Sequence, residues 1–303
     1  MKKILLIMVL LFVVGCSQSE GPSATITNED LYKGNIGLVA NFGQNMPPVK
    51  VYENDIFPVG IELSNKGAFD IIEGYLLLNL EEDNMELEKG DIIKNLKLKG
   101  KSLGNPKGDM EIVSFFVKAK ELGKETETIT SNIIATSCYR YKTFFSKTVC
   151  VDTDFYNLKK AKKACSAQDM VFGSGQGSYV PIVRIEPNMM EDDGIIKPMF
   201  VIYIENKGQG EVTNPNSIKK ICSDEQINPE DLNYIEVEAF LSETPLVCRP
   251  SPIKLQEREK VVRCVLEEGI SKDVPSYSTI LTVNLDYGYT DTISKRVEIR
   301  KII

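Results

Sequence analysis

Val59-Gly60-Ile61-Glu62-Leu63-Ser64-Asn65-Lys66-Gly67 is matched 141 residues later by Phe200-Val201-Ile202-Tyr203-Ile204-Glu205-Asn206-Lys207-Gly208. Both segments carry the period-2 pattern of a strand and both end on Asn-Lys-Gly. Asn and Gly tolerate positive φ, so a turn is expected at the end of each. A second match closes each half. Cys138-Tyr139-Arg140-Tyr141-Lys142-Thr143-Phe144-Phe145-Ser146-Lys147-Thr148-Val149-Cys150-Val151 shares Tyr-x-Tyr and then Ser-Lys-x-Val with Asp286 to Ile299, at an offset of 148. The order is kept and the second copy is slightly longer, which is the mark of an internal duplication.

Outward from these motifs, each half holds short alternating segments: Tyr75 to Leu80, Glu111 to Val117 and Ile133 to Tyr141 in the first, and Ile235 to Leu241, Val261 to Val265 and Thr279 to Leu285 in the second. In Ile235-Glu236-Val237-Glu238-Ala239 the apolar side chains face one way and the acids the other, as a half-solvated antiparallel sheet requires. The fold class expected is all-β, two tandem antiparallel β-sandwiches. Each copy should close on a hairpin.

The opening strand ending in Asn-x-Gly, with a terminal hairpin later, resembles the immunoglobulin-like and CARDB-type modules repeated on bacterial and archaeal surface proteins. The resemblance covers most of residues 35–155 and 179–303, and it implies Ig-like sandwiches serving as adhesion, spacer or binding modules. Antibody domains are a poorer comparison, because the chain has no tryptophan.

The N-terminus supplies an address. Lys2 and Lys3 precede an apolar run from Ile4 to Val14, too short to span a bilayer comfortably and suited to a secretory signal. Val13-Val14-Gly15-Cys16 resembles the lipobox of prokaryotic lipoproteins, which implies that Cys16 becomes the lipidated first residue. The expected organisation is residues 1–15 as signal peptide, 16–34 as a flexible tether, 35–155 as the first sandwich, 156–178 as a helical linker with a Gly-rich hinge, and 179–303 as the second sandwich. That places the protein outside the cell membrane, held by its lipid, with a protein or glycan partner at the surface.

Composition excludes much chemistry. The chain has 303 residues, 43 acidic against 36 basic side chains, and no histidine. Ser-His-Asp and Cys-His catalysis and HExxH zinc sites all require an imidazole. A net charge of −7 also argues against a nucleic-acid partner, which needs a basic face.

Six cysteines remain once Cys16 is set aside: Cys138, Cys150, Cys165, Cys222, Cys248 and Cys264. An even number in an exported chain implies disulfides, although six admit many pairings. Asp286 and Glu298 replace Cys138 and Cys150 in the second copy, so these two, absent together, are expected to bond each other. Cys248 and Cys264 flank a local loop, and Cys165 with Cys222 is what is left. A zinc or iron-sulfur site lacks any CxxC.

Asp154 to Cys165 reads as a short helix with lysines forming a solvated face, followed by the hinge Gly173-Ser174-Gly175-Gln176-Gly177. That glycine loop precedes a strand and has no GK[ST], so it does not suit nucleotide binding. Ser217-Ile218-Lys219-Lys220 is formally an SxxK, but no KTG accompanies it and Asn214-Pro215-Asn216 makes it a loop. The acidic groups Glu81-Glu82-Asp83 and Glu191-Asp192-Asp193 read as solvated turns. Asp152 and Asp154 are the place where calcium could brace the junction of the halves. Tyr139, Tyr141, Tyr287 and Tyr289 are expected in the core, with their hydroxyls on backbone partners. The chain is thus expected to be non-enzymatic and to need no cofactor. The competing expectations are an accessory subunit of an envelope transport or secretion complex, and a carboxylate or Ser-Lys hydrolase.

Overall fold

The computed structural model describes residues 27–157, 162–223 and 225–302. The expected signal peptide and Cys16 lie outside them. In the first copy the strands are β1 (Leu38–Phe42), β2 (Lys50–Tyr52), β3 (Ile56–Asn65), β4 (Ile71–Leu80), β5 (Met85–Leu87), β6 (Ile93–Leu98), β7 (Met110–Ala119) and β8 (Thr128–Val151). In the second they are β9 (Met170–Val171), β10 (Ile182–Asp192), β11 (Ile195–Glu205), β12 (Glu211–Thr213), β13 (Tyr234–Leu241), β14 (Thr244–Arg249), β15 (Ile253–Lys254), β16 (Glu259–Val265), β17 (Ile270–Ser271) and β18 (Tyr277–Arg300). Among the described residues helix is confined to one-turn pieces, among them α1 (Asn28–Leu31) and α2 (Ile218–Ile221). The protein is all-β.

The strand order repeats. One sheet runs β1-β3-β7-β5, and the other runs β6-β4-β8-β18-β13-β14-β16-β11-β10-β9. In the first copy β3 lies between β1 and β7, β7 pairs with β5, and β4 lies between β6 and β8. In the second copy β11, β10, β16, β14, β13, β15 and β18 repeat those relations in the same sequence order. The duplication visible in two motifs therefore extends to the wiring of each half.

The halves meet through their last strands. β8 and β18 are each 24 residues long, about 80 Å of extended chain, and pair antiparallel from Thr128 with Arg300 to Val151 with Tyr277. Side chains alternate along a strand, so one face of this ribbon is an apolar wall. Ile133, Tyr139, Tyr141, Phe145 and Val149 line it from β8, and Leu281, Leu285, Tyr287, Tyr289 and Val297 from β18, within one core cluster that draws on both copies.

This ribbon corrects the expected closing hairpins. Cys138 and Cys150 sit on one unbroken strand about 40 Å apart, far beyond the reach of a disulfide. Cys138 bonds Cys222, Cys150 bonds Cys165, and only the Cys248–Cys264 pair is as expected, across the register of β14 and β16. The cause is an insertion. Gly74 and Ile235 occupy equivalent places against the first tyrosine of each motif, yet Asn65 and Gly74 are 9 residues apart and Asn206 and Ile235 are 29. The extra chain forms β12 and α2, which carries Cys222 onto β8 of the other copy.

The expected linker helix does not form among the described residues. Residues 153–156 are a turn, 162–165 are non-helical, and 158–161 lie outside the described set. The Cys150–Cys165 bond and the Lys163–Asp152 ion pair at 2.9 Å draw this segment back onto the end of β8. Nor is the glycine loop free to swing. Gly34 N–H donates to Ser174 O, Gly177 N–H to Gly34 O, and Gln176 brackets the main chain of Ile182 with both amide atoms. Gly34, expected in the tether, is thereby tied to that loop, and Tyr32 packs against Phe69 and Phe144.

Candidate functional site

The two sequence matches meet in space. Tyr141 Oη donates to Asn65 Oδ1 at 3.3 Å and accepts from Phe69 N–H, while Tyr289 Oη donates to Asn206 Oδ1 at 3.3 Å and accepts from Gly210 N–H. Each asparagine also accepts from the glycine two residues on, Gly67 or Gly208. The Asn-Lys-Gly turn is therefore fixed by the tyrosine of its own copy. Burial pushes the hydroxyls of Tyr141, Tyr287 and Tyr289 well above the ordinary phenol range, Tyr287 to about 12, so they stay neutral hydrogen-bonding groups. All four motif tyrosines are core residues, as expected, and build the junction instead of a ligand platform.

The Ser-Lys motif is tied up in the fold. Ser217 Oγ and Lys220 Nζ both donate to the buried Asp231 carboxylate, each at 2.6 Å, and Asn228 N–H adds a third bond. A lysine acting as base must accept the serine proton, whereas here both groups spend their protons on one acid. The cluster anchors α2 beneath Cys222.

The acidic candidates are similarly engaged. Glu81 accepts from Ser131 and Asn132 at 2.6 Å each, which holds its carboxyl below the usual range. Glu191 pairs with Lys272, and Asp192 with Lys197. At the junction, burial alone would raise Asp152, but donation from Lys163, Ser276 and Asp154 N–H outweighs it and leaves the carboxyl lowered. The cation facing Asp152 is the Lys163 ammonium. Among the described residues no cluster of three or more acids or cysteines is placed to hold a metal ion.

What the fold leaves open is the outer face of the four-stranded sheet. The even-numbered residues of β3 and β7 point outward, and Ile56, Met110, Ile112 and Phe116 are each more than half exposed. Phe116 lies opposite Pro58, and Ile112 opposite Glu62. The second copy serves as an internal control. By register, Lys197 and Glu259 stand where Ile56 and Met110 stand, and Val261 and Val265 replace Ile112 and Phe116 and are only partly exposed. There Arg184 lies 5.3 Å over the Tyr203 ring and pairs with Glu186, which accepts from Tyr203 Oη. Among the described residues, the second copy's outer face sets its partly covered valines beside a self-paired charged group, whereas the first copy's leaves four large apolar side chains more than half exposed.

A groove borders this face. Val39, Asn41 and Met110 line it together with Lys66, Lys101 and Lys107, with a volume of about 650 Å³. The sequence carried a sign of it. Ile112-Val113 and Phe115-Phe116 put apolar side chains on both faces of β7, breaking the alternation that a solvated outer face would produce. Comparison with protein-family models and with curated proteins finds no match.

Proposed function

We propose that the protein is an exported, membrane-anchored, non-enzymatic binding module built of two tandem Ig-like β-sandwiches. In this reading Cys16 carries the lipid, the sandwiches are locked together by the β8–β18 ribbon, and the first copy presents its outer sheet face to a partner at the cell surface. The observation that carries it is the contrast between the copies. Apolar surface left open in a patch is characteristic of an interaction site. Three disulfides support an oxidising compartment outside the cytoplasm. An accessory subunit of an envelope complex would use the same face, and differs in holding its partner through detergent extraction.

The test is in the native host. The wild-type protein should partition with membranes, and Cys16→Ser should release it. Surface cross-linking should trap a complex that Ile112→Lys with Phe116→Lys abolishes and that the control Val261→Lys with Val265→Lys spares. Retention of Cys16→Ser on membranes overturns the anchor, and cross-linking indifferent to the first pair overturns the docking face.

A further inference from the structure

We propose that the free edge of β1 takes up an extended, acidic segment of a partner protein as an added strand. This deepens the docking reading above and rests on it.

The backbone sets the geometry. Lys66 N–H donates to Gly37 O at 3.0 Å and Gly43 N–H to Gly60 O at 2.8 Å. Hydrogen-bonded positions alternate along an antiparallel strand, so Gly37, Val39, Asn41 and Gly43 turn their main-chain groups toward β3. Leu38, Ala40 and Phe42 turn theirs to the other side. Leu38 is served there by tyrosines: its N–H donates to Tyr139 Oη, and its C=O accepts from Tyr179 Oη at 3.0 Å. Beside Ala40 and Phe42 no strand follows among the described residues, because β1 ends the sheet.

The duplicate shows what this edge accepts. In the second copy β9 lies against the corresponding edge of β10, with Met170 opposite Ile185 and Val171 opposite Arg184, and Phe172 N–H donates to Val183 O at 2.8 Å. The Phe172 ring then packs 4.7 Å from Phe145. In the first copy the chain that could have supplied such a strand runs instead through α1 and the Gly34–Gly175 bridge. An edge built to receive a short extended segment is thus filled in one copy and, among the described residues, vacant in the other.

Charge selects the occupant. Lys66, Lys101 and Lys107 line the groove alongside Val39 and Asn41, where Glu62 is the only carboxylate in the lining. Lys295 Nζ lies 6.0 Å from the centre of the Phe42 ring, at the other end of the edge. On a chain of net charge −7 this puts three lysines beside one end of a free edge and one at the other. Main-chain pairing supplies affinity in strand addition and the flanking side chains supply selection, so carboxylates along an alternating segment meet these requirements.

The test uses the full-length, disulfide-bonded protein in detergent and fluorescein-labelled acetyl-Glu-Val-Glu-Val-Glu-Val-amide, with the lysine-for-glutamate peptide as control. Binding measured by anisotropy should favour the glutamate peptide and weaken with salt. Ala40→Pro removes an edge N–H without touching the β3 ladder and should weaken binding about tenfold, as should Lys66→Glu with Lys107→Glu. Because Ala40→Pro could impair folding, a peptide methylated on alternate backbone nitrogens is titrated into the wild-type protein and should lose binding equally. Hydrogen exchange at Ala40 and Phe42 should slow when the glutamate peptide is added. Absence of glutamate-peptide binding at millimolar concentration, equal binding of the lysine peptide, or insensitivity to backbone methylation overturns strand addition. Failure here with cross-linking still lost in Ile112→Lys with Phe116→Lys would leave the docking face standing, so the two proposals fail separately.

Discussion

Arg140 is paired with Gly288 across the β8–β18 ribbon, and the two occupy the same position in their respective copies, 148 residues apart. A position paired with its own duplicate marks a local two-fold axis, so Tyr139 necessarily faces Tyr289 and Tyr141 faces Tyr287. The symmetry is broken by what each residue permits. Arg140 reaches along the outer face to Asp286 in a two-pronged ion pair at 2.9 and 2.8 Å. A Cβ on Gly288 would lie 2.3 Å from Thr213 Oγ1 and 3.1 Å from Asn214 O, so glycine there lets the inserted segment lie on the ribbon. Gly288→Ala is expected to cost about 1–3 kcal/mol by overpacking, read as a lowered melting temperature. Arg140→Ala, which removes a partly exposed ion pair, should cost about 1 kcal/mol or less.

Gly67 and Gly208 make a matched pair of probes. A Cβ at either would fall within 1.9 Å of a buried tyrosine hydroxyl, that of Tyr141 or Tyr289. Alanine at each site should destabilise the protein by about 1–3 kcal/mol. Adding Tyr141→Phe to Gly67→Ala should recover part of that loss by removing the clashing oxygen, although it leaves Phe69 N–H without its acceptor. A thermodynamic cycle on the wild type, Gly67→Ala, Tyr141→Phe and the double variant measures the coupling, and strictly additive losses would contradict the contact.

The repeat was legible because its signals are local: Asn-Lys-Gly and Tyr-x-Tyr are short, and each copy states them in full. The class of fold followed from period-2 alternation, and the burial of the four tyrosines from that alternation together with the recurrence of Tyr-x-Tyr in both copies. The partners of those tyrosines did not, since pairing across 146 and 150 residues leaves no mark on either strand. The cysteines misled for the same reason. Replacement of Cys138 and Cys150 by Asp286 and Glu298 looked like loss of one bond, but Cys138 answers to Cys222 in the inserted chain and Cys150 to Cys165. The candidate face was half visible. The doublets Ile112-Val113 and Phe115-Phe116 announced apolar side chains on both sides of a strand, but the exposure of one side shows only against the second copy's equivalents, Val261 and Val265, which are equally apolar and better covered.

Cys138–Cys222 fastens the second copy's insertion to the first copy's strand. Both sulfurs are buried, and Ile221 and Leu77 pack around them. Replacing both cysteines with alanine should cost about 2–4 kcal/mol, the usual loss for one bridge. Non-reducing peptide mapping should recover residue 138 linked to 222 and residue 150 linked to 165. A 138–150 linked peptide would contradict the unbroken β8.

Lys163 stands where a bound cation would otherwise face Asp152, so millimolar calcium should leave the melting temperature unchanged. Lys163→Met would strand a buried carboxylate that still holds Ser276 and the Asp154 amide. The expected loss is about 3 kcal/mol, the lower end for breaking a buried pair. Calcium that stabilises the wild-type protein would show instead that the ion competes successfully with the ammonium.

Asp231 supplies a pH test of the Ser217-Lys220 cluster. The Lys220 ammonium, the Ser217 hydroxyl and the Asn228 amide hold its carboxyl down to about 2. An acid whose pKa is lower folded than unfolded binds fewer protons in the native state, so its contribution is fully present above the unfolded value of about 3.9. That contribution is lost as the pH falls from about 4 toward 2. Asp231→Asn should therefore flatten the fall of stability in that window while leaving its slope near neutrality alone. Ser217→Ala should lower stability by about 1.5–3 kcal/mol through one lost charge-assisted bond, and an alkyl fluorophosphonate should not label the wild-type protein at Ser217. Labelling there would mean that the serine escapes Asp231 and is activated by Lys220, and the structural role assigned to the cluster would have to be given up.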